Sequence, residues 1–292
     1  MIITYGSAGE WLARATAKIA GLAVVDVNRK LFPDGEQYVK VLGDVEGQDV
    51  AIFQSMGLNP DLLFMEYSLI ADALKGAGCK SVTAVIPYLA YARQDHRFCK
   101  GEPLSAKIIA KLIESAGTDR LVTIDMHLHR FKEISEVFDI PATNLSAMPL
   151  LAEYYCKNYG AANTVVVGPD MESEQWAQAV AKSLSSRCHV LEKERLGDRD
   201  VRVSNPLSIR GNTAVLVDDM ISTGKTLVEV ILKLKSQGVE RIDALVTHSL
   251  LVEGAYHKLK TAGMSELIST DTISGPQSFV SVAPILAIAL KQ

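Results

Sequence analysis

The chain has 292 residues, 48% of them apolar, and a formal net charge of −4. That is length for one large domain or two of about 150 residues, and apolar content for a real core, which argues against disorder. The negative balance argues against a nucleic-acid surface built on excess positive charge. The four cysteines, Cys79, Cys99, Cys156 and Cys188, form no CxxC pair, which suits a reduced cytoplasmic protein better than a zinc site or a disulfide framework.

The opening MIITYGSAGEWLARATAKIAG reads as a strand leading into a helix, without the basic and apolar regions of a signal peptide. No apolar run reaches about 18 residues, so no membrane span is expected. Apolar runs of strand composition follow at 50–54, 81–86, 121–125, 164–167, 214–217 and 242–247, after the first at 1–5. Helical spacing lies between most of them, at 62–76, 105–115, 173–185 and 226–236. In 105–115 the stripe is Ile108, Ile109, Leu112 and Ile113, and Gly117 suits the stop. Strand alternating with helix predicts an α/β protein with mainly parallel sheets. Ile140 to Pro149 is turn-rich and mid-chain, and is the expected boundary between domains of 1–143 and 144–276.

Ligands of open α/β sheets bind beyond the carboxyl ends of the strands, so polar stretches there are the candidates. Leu31 to Glu36, LFPDGE, reads either as a plain turn or as a site. Pro87 to Phe98, PYLAYARQDHRF, gathers two tyrosines, two arginines, Gln94, Asp95 and His96; its arginine forks suit polyphosphate, and a surface salt-bridge network is the alternative. DMHLHRF places Asp125, His127 and His129 after the next strand, where a histidine is a metal ligand, a base or a polar loop residue. Asp170 ends VVVGPD within reach of a metal or a sugar, while Glu172 and Glu174 favour a helix start. Leu191 to Val203, with Lys193, Arg195, Arg199 and Arg202, is either a solvated hairpin or a flap whose cations close over a phosphoryl group.

The most informative stretch is Thr213 to Ser236, TAVLVDDMISTGKTLVEVILKLKS. An apolar strand run ends at Asp218 and Asp219, a small hydroxyl-rich turn follows, and Leu227, Val230, Ile231 and Leu234 form one helical stripe. Ser222, Thr223 and Thr226 offer hydroxyls, Gly224 lets backbone approach an anion, and Lys225 adds charge, all at a helix start whose N–H groups point outward. The acid pair suits sugar hydroxyls or a metal-bound ligand, so the set describes a ribose phosphate. A P-loop is excluded, because its first glycine would stand where Asp219 is. An ordinary turn capped by Ser222 or Thr223 is the remaining plain explanation.

This last stretch resembles the phosphoribosyl-binding motif shared by type I phosphoribosyltransferases and ribose-phosphate pyrophosphokinases. Nearly the whole chain resembles the latter family, archaeal members most, through FPDGE, AVIPYLAYARQD, TIDMH, GPD, KERLG, VLVDDMISTGKT, VTHSLL and STDTI in that order. The resemblance implies two similar domains of phosphoribosyltransferase type, the first joined by 277–292, with the active site between them. It implies transfer of diphosphate from ATP to ribose 5-phosphate with Mg2+, by a homodimer or higher homo-oligomer; a phosphoribosyltransferase, or a non-catalytic regulatory subunit of the same fold, is the alternative. It assigns Asp34, Gly35, Glu36, Arg93, Gln94, Asp95 and His96 to ATP, with Asp34 and Glu36 reaching a neighbouring subunit's adenine. His127 and Asp170 would hold the metal. Lys193 and Arg195 would be catalytic, with Arg195 also on ribose 5-phosphate beside Asp218, Asp219, Ser222, Thr223, Gly224, Lys225 and Thr226. Ser222, Lys225, Met171, Glu172, His129 and Arg130 depart from the commoner family pattern.

Overall fold

The computed structural model describes residues 1–195, 201–204 and 213–291, the side chains of 192–195 and 201–204 excepted. They form two compact units, Met1–Leu145 with Val282–Gln292, and Ser146–Ser281. No helix among the described residues is long and apolar enough to cross a membrane.

The first unit begins β1 (Ile2–Tyr5), α1 (Glu10–Ala20), β2 (Val27–Leu31), β3 (Gln37–Val41), β4 (Asp49–Phe53) and α2 (Pro60–Gly76). It continues β5 (Ser81–Val85), α3 (Ser105–Ser115), β6 (Arg120–Ile124) and β7 (Ala142–Leu145). One five-stranded parallel sheet has the order β1-β4-β5-β6-β7. Its inner strands carry near-continuous buried runs, Val50 to Phe53 and Val82 to Val85, as parallel strands covered on both faces do. Outside the sheet, β2 and β3 pair antiparallel, Leu31 opposite Gln37.

In the second unit come α4 (Met148–Tyr159), β8 (Thr164–Gly168), α5 (Glu174–Leu184), β9 (Arg187–Val190), β10 (Glu192–Arg195) and β11 (Val201–Ser204). Then follow β12 (Thr213–Ile221), α6 (Lys225–Ser236), β13 (Arg241–Ser249), α7 (Ala255–Ala262), β14 (Glu266–Thr270) and β15 (Ser278–Val280). Six parallel strands run β15-β14-β13-β12-β8-β9. Strand side chains alternate between faces, and the two faces separate accordingly. Val165, Val167, Ala214 and Leu216 meet the α6 stripe of Leu227, Val230, Ile231 and Leu234. Val166, Val215 and Val217 meet Met148, Leu151, Trp176 and Val180 from α4 and α5. Away from the sheet, β10 and β11 form an antiparallel ribbon with Arg195 opposite Val201.

The last helix, α8 (Ala283–Ala289), belongs to the first unit and lies against α1. Three expectations need correction. The turn-rich stretch near 140–149 contains edge strand β7, hydrogen-bonded to β6 from Leu121 opposite Ala142 to Ile124 opposite Leu145, so the division falls after Leu145 rather than after residue 143. The return to the first unit begins at Val282 rather than 277, because β15 is held in the second sheet by β14. The strand at 214–217 runs on to Ile221, since β13 keeps pairing with it after β8 has stopped at Leu216. Asp218 and Asp219 therefore lie inside the strand, on the stretch where one edge is free of β8.

Candidate active site

In the second unit the candidates gather at the carboxyl end of β12. Asp219 is buried and its N–H donates to Asp218 Oδ1 at 3.0 Å. Burial, then the neighbouring carboxylates of Asp219 and Asp170, hold the Asp218 carboxyl well above its ordinary range. Asp170 stands at the end of β8 and starts the turn into α5. Its Oδ1 accepts from Ser173 N–H at 3.3 Å, and its own N–H donates to Ser173 Oγ at 3.3 Å. Three carboxylates thus share a small volume.

The turn after β12 leads straight into α6. Gly224 is the residue before the helix, with φ 72, and no side chain caps the first turn. The capping explanation for Ser222 or Thr223 is therefore not what the structure adopts. Their backbone is instead anchored from α7's side: Leu251 N–H donates to Ile221 O and Val252 N–H to Ser222 O, each at 3.1 Å. Ser222, Thr223 and Thr226 are half-buried and Lys225 is exposed. An uncapped helix start carries partial positive charge and free donors, the reverse of the acid cluster just before it.

Lys193 and Arg195 lie in β10, Lys193 opposite Val203 of β11. Their side chains, and Arg199 altogether, lie outside the described residues.

In the first unit, Asp34, Gly35 and Glu36 are exposed at the tip of the β2–β3 hairpin. The tip closes by Phe32 N–H to Glu36 O at 2.7 Å, Gly35 N–H to Phe32 O at 2.9 Å, and Glu36 N–H to Asp34 Oδ1 at 3.1 Å. Gly35 has φ 97, which glycine adopts without strain. After β5, Arg93 and His96 are exposed, whereas Gln94 and Asp95 are tied into the fold. Gln94 Oε1 accepts from Ser105 Oγ at 2.7 Å, and Gln94 O from Ala106 N–H, holding the start of α3. Asp95 is buried and takes Arg130 through both oxygens, from its N–H and from Nη1, each at 3.0 Å. His127 follows β6, with its Nδ1 3.1 Å from His129 Nε2.

Comparison with known proteins gives this geometry a family. Residues 1–117 match the N-terminal domain of ribose phosphate pyrophosphokinase and residues 133–280 the phosphoribosyl transferase domain. A ribose-phosphate pyrophosphokinase of Methanothermobacter thermautotrophicus is 39% identical over 287 residues, 98% of each chain. One from Methanobrevibacter smithii is 37% identical over 302 residues, covering 99% of this chain and all of that one. The crystal structure of phosphoribosylpyrophosphate synthetase from Mycobacterium smegmatis superposes with TM-score 0.89 at 32% identity, covering 99% of this chain and 97% of the other.

The chain belongs to the ribose-phosphate pyrophosphokinase family.

Two polar networks in this ribose-phosphate pyrophosphokinase chain escaped the sequence reading. In the first unit, buried Gln54 and Glu66 lie just beyond β4 and on α2. Glu66 accepts from Ser7 N–H at 3.0 Å, Ser7 Oγ at 2.6 Å and Gln54 Nε2 at 2.7 Å, and pairs with Arg29 Nε at 3.4 Å. Gln54 Oε1 accepts from Ala8 N–H at 3.0 Å, so the loop after β1 is fixed by side chains of two other elements. The one available signal was Gln54 directly after an apolar strand. In the second unit, buried His248 Nδ1 lies 2.9 Å from Thr272 Oγ1, and Thr270 and Thr272 both donate to Thr247 O. The hydroxyl-rich endings of VTHS and STDT were its trace.

Proposed function

We propose that the chain is a ribose-phosphate diphosphokinase, moving the diphosphoryl group of ATP to the anomeric hydroxyl of ribose 5-phosphate and giving 5-phosphoribosyl 1-diphosphate and AMP. One observation carries this reading. An acid pair runs directly into an uncapped, hydroxyl-rich helix start, in a chain similar along its whole length to ribose-phosphate pyrophosphokinases.

In this reading Asp218 and Asp219 take the ribose hydroxyls and residues 222–226, with the first N–H groups of α6, take the 5-phosphate. Holding the sugar at both ends fixes the anomeric hydroxyl for in-line attack on the β-phosphorus. ATP falls to Arg93, Gln94, Asp95 and His96, with Asp34, Gly35 and Glu36 on its adenine. The engagement of Gln94 and Asp95 within the fold makes these two positioning residues, and exposed Arg93 and His96 the direct contacts. Lys193 and Arg195, the latter also on ribose 5-phosphate, neutralise charge that develops on the transferring group.

The donor chemistry fits a hard divalent cation such as Mg2+. Burial, and then repulsion from Asp219 and Asp170, raise the Asp218 carboxyl, and an ion accepting carboxylate oxygen relieves such a cluster. Asp170 of the second unit and His127 of the first are the proposed metal-binding residues, and bound Mg2+ would supply charge neutralisation on the phosphates.

A phosphoribosyltransferase would share the ribose loop. It is disfavoured because the relatives named above match both halves of the chain. A homo-oligomer in a cytoplasmic setting completes the reading. Its support is an apolar groove on the first unit, lined by Phe64, Met65, Tyr91, Ile108 and Leu112, where a second copy would bury exposed side chains.

The test is direct. Purified protein with ATP, Mg2+ and ribose 5-phosphate should release AMP in step with phosphoribosyl diphosphate. Accumulation of ADP instead would mean single-phosphoryl transfer and overturn the proposal.

A further inference from the structure

The hairpin of β2 and β3 stands outside the five-stranded sheet of its unit as a two-stranded ribbon. Past Val27 at its base it buries no apolar side chain fully, and Leu31, Phe32 and Tyr38 are exposed. A two-stranded ribbon without a core of its own is marginal in water, so its polar ties decide where its tip stands. One tie lies on β3, where Gln37 Nε2 donates to Leu62 O of α2 at 2.9 Å. A second, midway along β2, is Arg29.

Arg29 divides its guanidinium among three other elements. Nη1 donates to Tyr5 O at the end of β1 at 3.0 Å, Nε lies 3.4 Å from Glu66 Oε1 on α2, and Nη2 lies 3.8 Å from Glu10 Oε2 on α1. The guanidinium carbon also stands 5.2 Å from the Tyr5 ring centre. These partners are themselves held: Tyr5 OH donates to Asp26 Oδ1 at 2.5 Å, and buried Glu66 accepts from Ser7 and Gln54. A planar fork of fixed donors meets partners in several directions at once, which an ammonium on a flexible stem does not. The tip begins about 10 Å beyond Arg29 along the strand, so a tilt of about 10° at the anchor would carry it about 2 Å. A displacement of that size breaks a hydrogen bond.

We propose that Arg29 is a positioning residue for adenine recognition, holding the hairpin so that Asp34, Gly35 and Glu36 meet the base of ATP. The proposal rests on the reading above that gives those three residues to adenine. Arg29 acts through the hairpin and contacts no substrate itself. Its loss should therefore weaken ATP binding and spare the transfer step. A lysine should not repair the loss. Were Arg29 there only to balance the charge of Glu66, a lysine would serve as well.

Full-length Arg29→Ala and Arg29→Lys proteins are compared with wild type by amide hydrogen exchange and by steady-state kinetics. Exchange across residues 30–38 should quicken at least about tenfold in both variants, while β4 and β5 stay within about twofold of wild type. The Michaelis constant for ATP should rise at least about tenfold, with turnover and the Michaelis constant for ribose 5-phosphate within about threefold. Arg29→Lys keeps a positive charge beside Glu66, so the comparison survives if Arg29→Ala does not fold. Hairpin exchange within about twofold of wild type, an unchanged Michaelis constant for ATP, a loss confined to turnover, or full recovery in Arg29→Lys would each overturn the proposal. Wild-type protein that releases no AMP would instead sink the functional reading, and the exchange rates would still decide whether Arg29 holds the tip.

Discussion

At the scale of single residues, charge is where mutation should separate chemistry from scaffolding. If Lys193 neutralises developing charge, it contributes about 3 kcal/mol or more in the transition state, a hundredfold or greater in rate. A solvated cation on a ribbon contributes almost nothing. Lys193→Ala should therefore cut turnover at least about a hundredfold, with the Michaelis constants for ATP and ribose 5-phosphate changed far less. Turnover within about threefold of wild type in steady-state assays would return β10 and β11 to the role of a surface ribbon. Glu66 is the opposite kind of residue. Its buried carboxylate accepts three hydrogen bonds and faces Arg29, so removing it strands several donors at once. Glu66→Ala should lower stability by about 3 kcal/mol and Glu66→Gln by about 1 kcal/mol in urea unfolding. A loss below about 0.5 kcal/mol for Glu66→Ala would show that water replaces the carboxylate without penalty.

At the scale of elements, each candidate owes its position to a neighbour far along the chain. The acid pair stands on the part of β12 that β13 supports and β8 does not. Gly224 turns the backbone at φ 72, a conformation strained for any residue with a side chain, while a Cβ there would meet Ala255 and Leu259 of α7 at an ordinary contact of 3.4 Å, so backbone conformation rather than space calls for glycine. The short apolar α8 extends the same logic to the first unit. Its Leu286, Ala287 and Ala289 are buried, and it lies against α1, whose Leu12, Ala13 and Ala17 are buried. Leu286→Ala should cost about 2–4 kcal/mol, as large-to-small changes in closed cores do. Differential scanning calorimetry should register this as a lower first-unit transition; a change under about 1 kcal/mol would mean that α8 docks only loosely.

At the scale of the whole molecule, two units with separate sheets carry the two halves of the proposed ligand set. Asp34 and Glu36 are exposed at the tip of the β2–β3 hairpin, and in the proposed oligomer they would serve another chain's site. Mixing an Asp34→Ala enzyme with a Lys193→Ala enzyme should then restore part of the activity through hybrid sites. No recovery, with subunit exchange verified by mass spectrometry, would show that each chain supplies its own adenine contacts.

The sequence by itself determined what local physics determines. Apolar runs gave the central parallel strands, helical stripes gave α2, α3, α5 and α6, and the acid pair before a hydroxyl-rich turn marked the proposed ribose loop. These signals are legible because strand and helix periods and the chemistry of a turn are written within a few residues. Only the tertiary structure decided the rest. β7 was hidden because ATNL is short and partly polar and becomes a strand only when β6 supplies hydrogen bonds. The extension of β12 to Ile221 likewise depended on β13. Gln54, Glu66 and Ser7 lie far apart in sequence, and Asp95 clamps Arg130 across 35 positions. No periodicity within one segment encodes such partners, since a buried polar group is satisfied by whatever the fold brings to it. The His127–His129 pair belongs to both levels: its spacing is visible in the chain, but its 3.1 Å geometry follows from the hydrogen bonds of Asn144 and Asp95 to the segment that carries it.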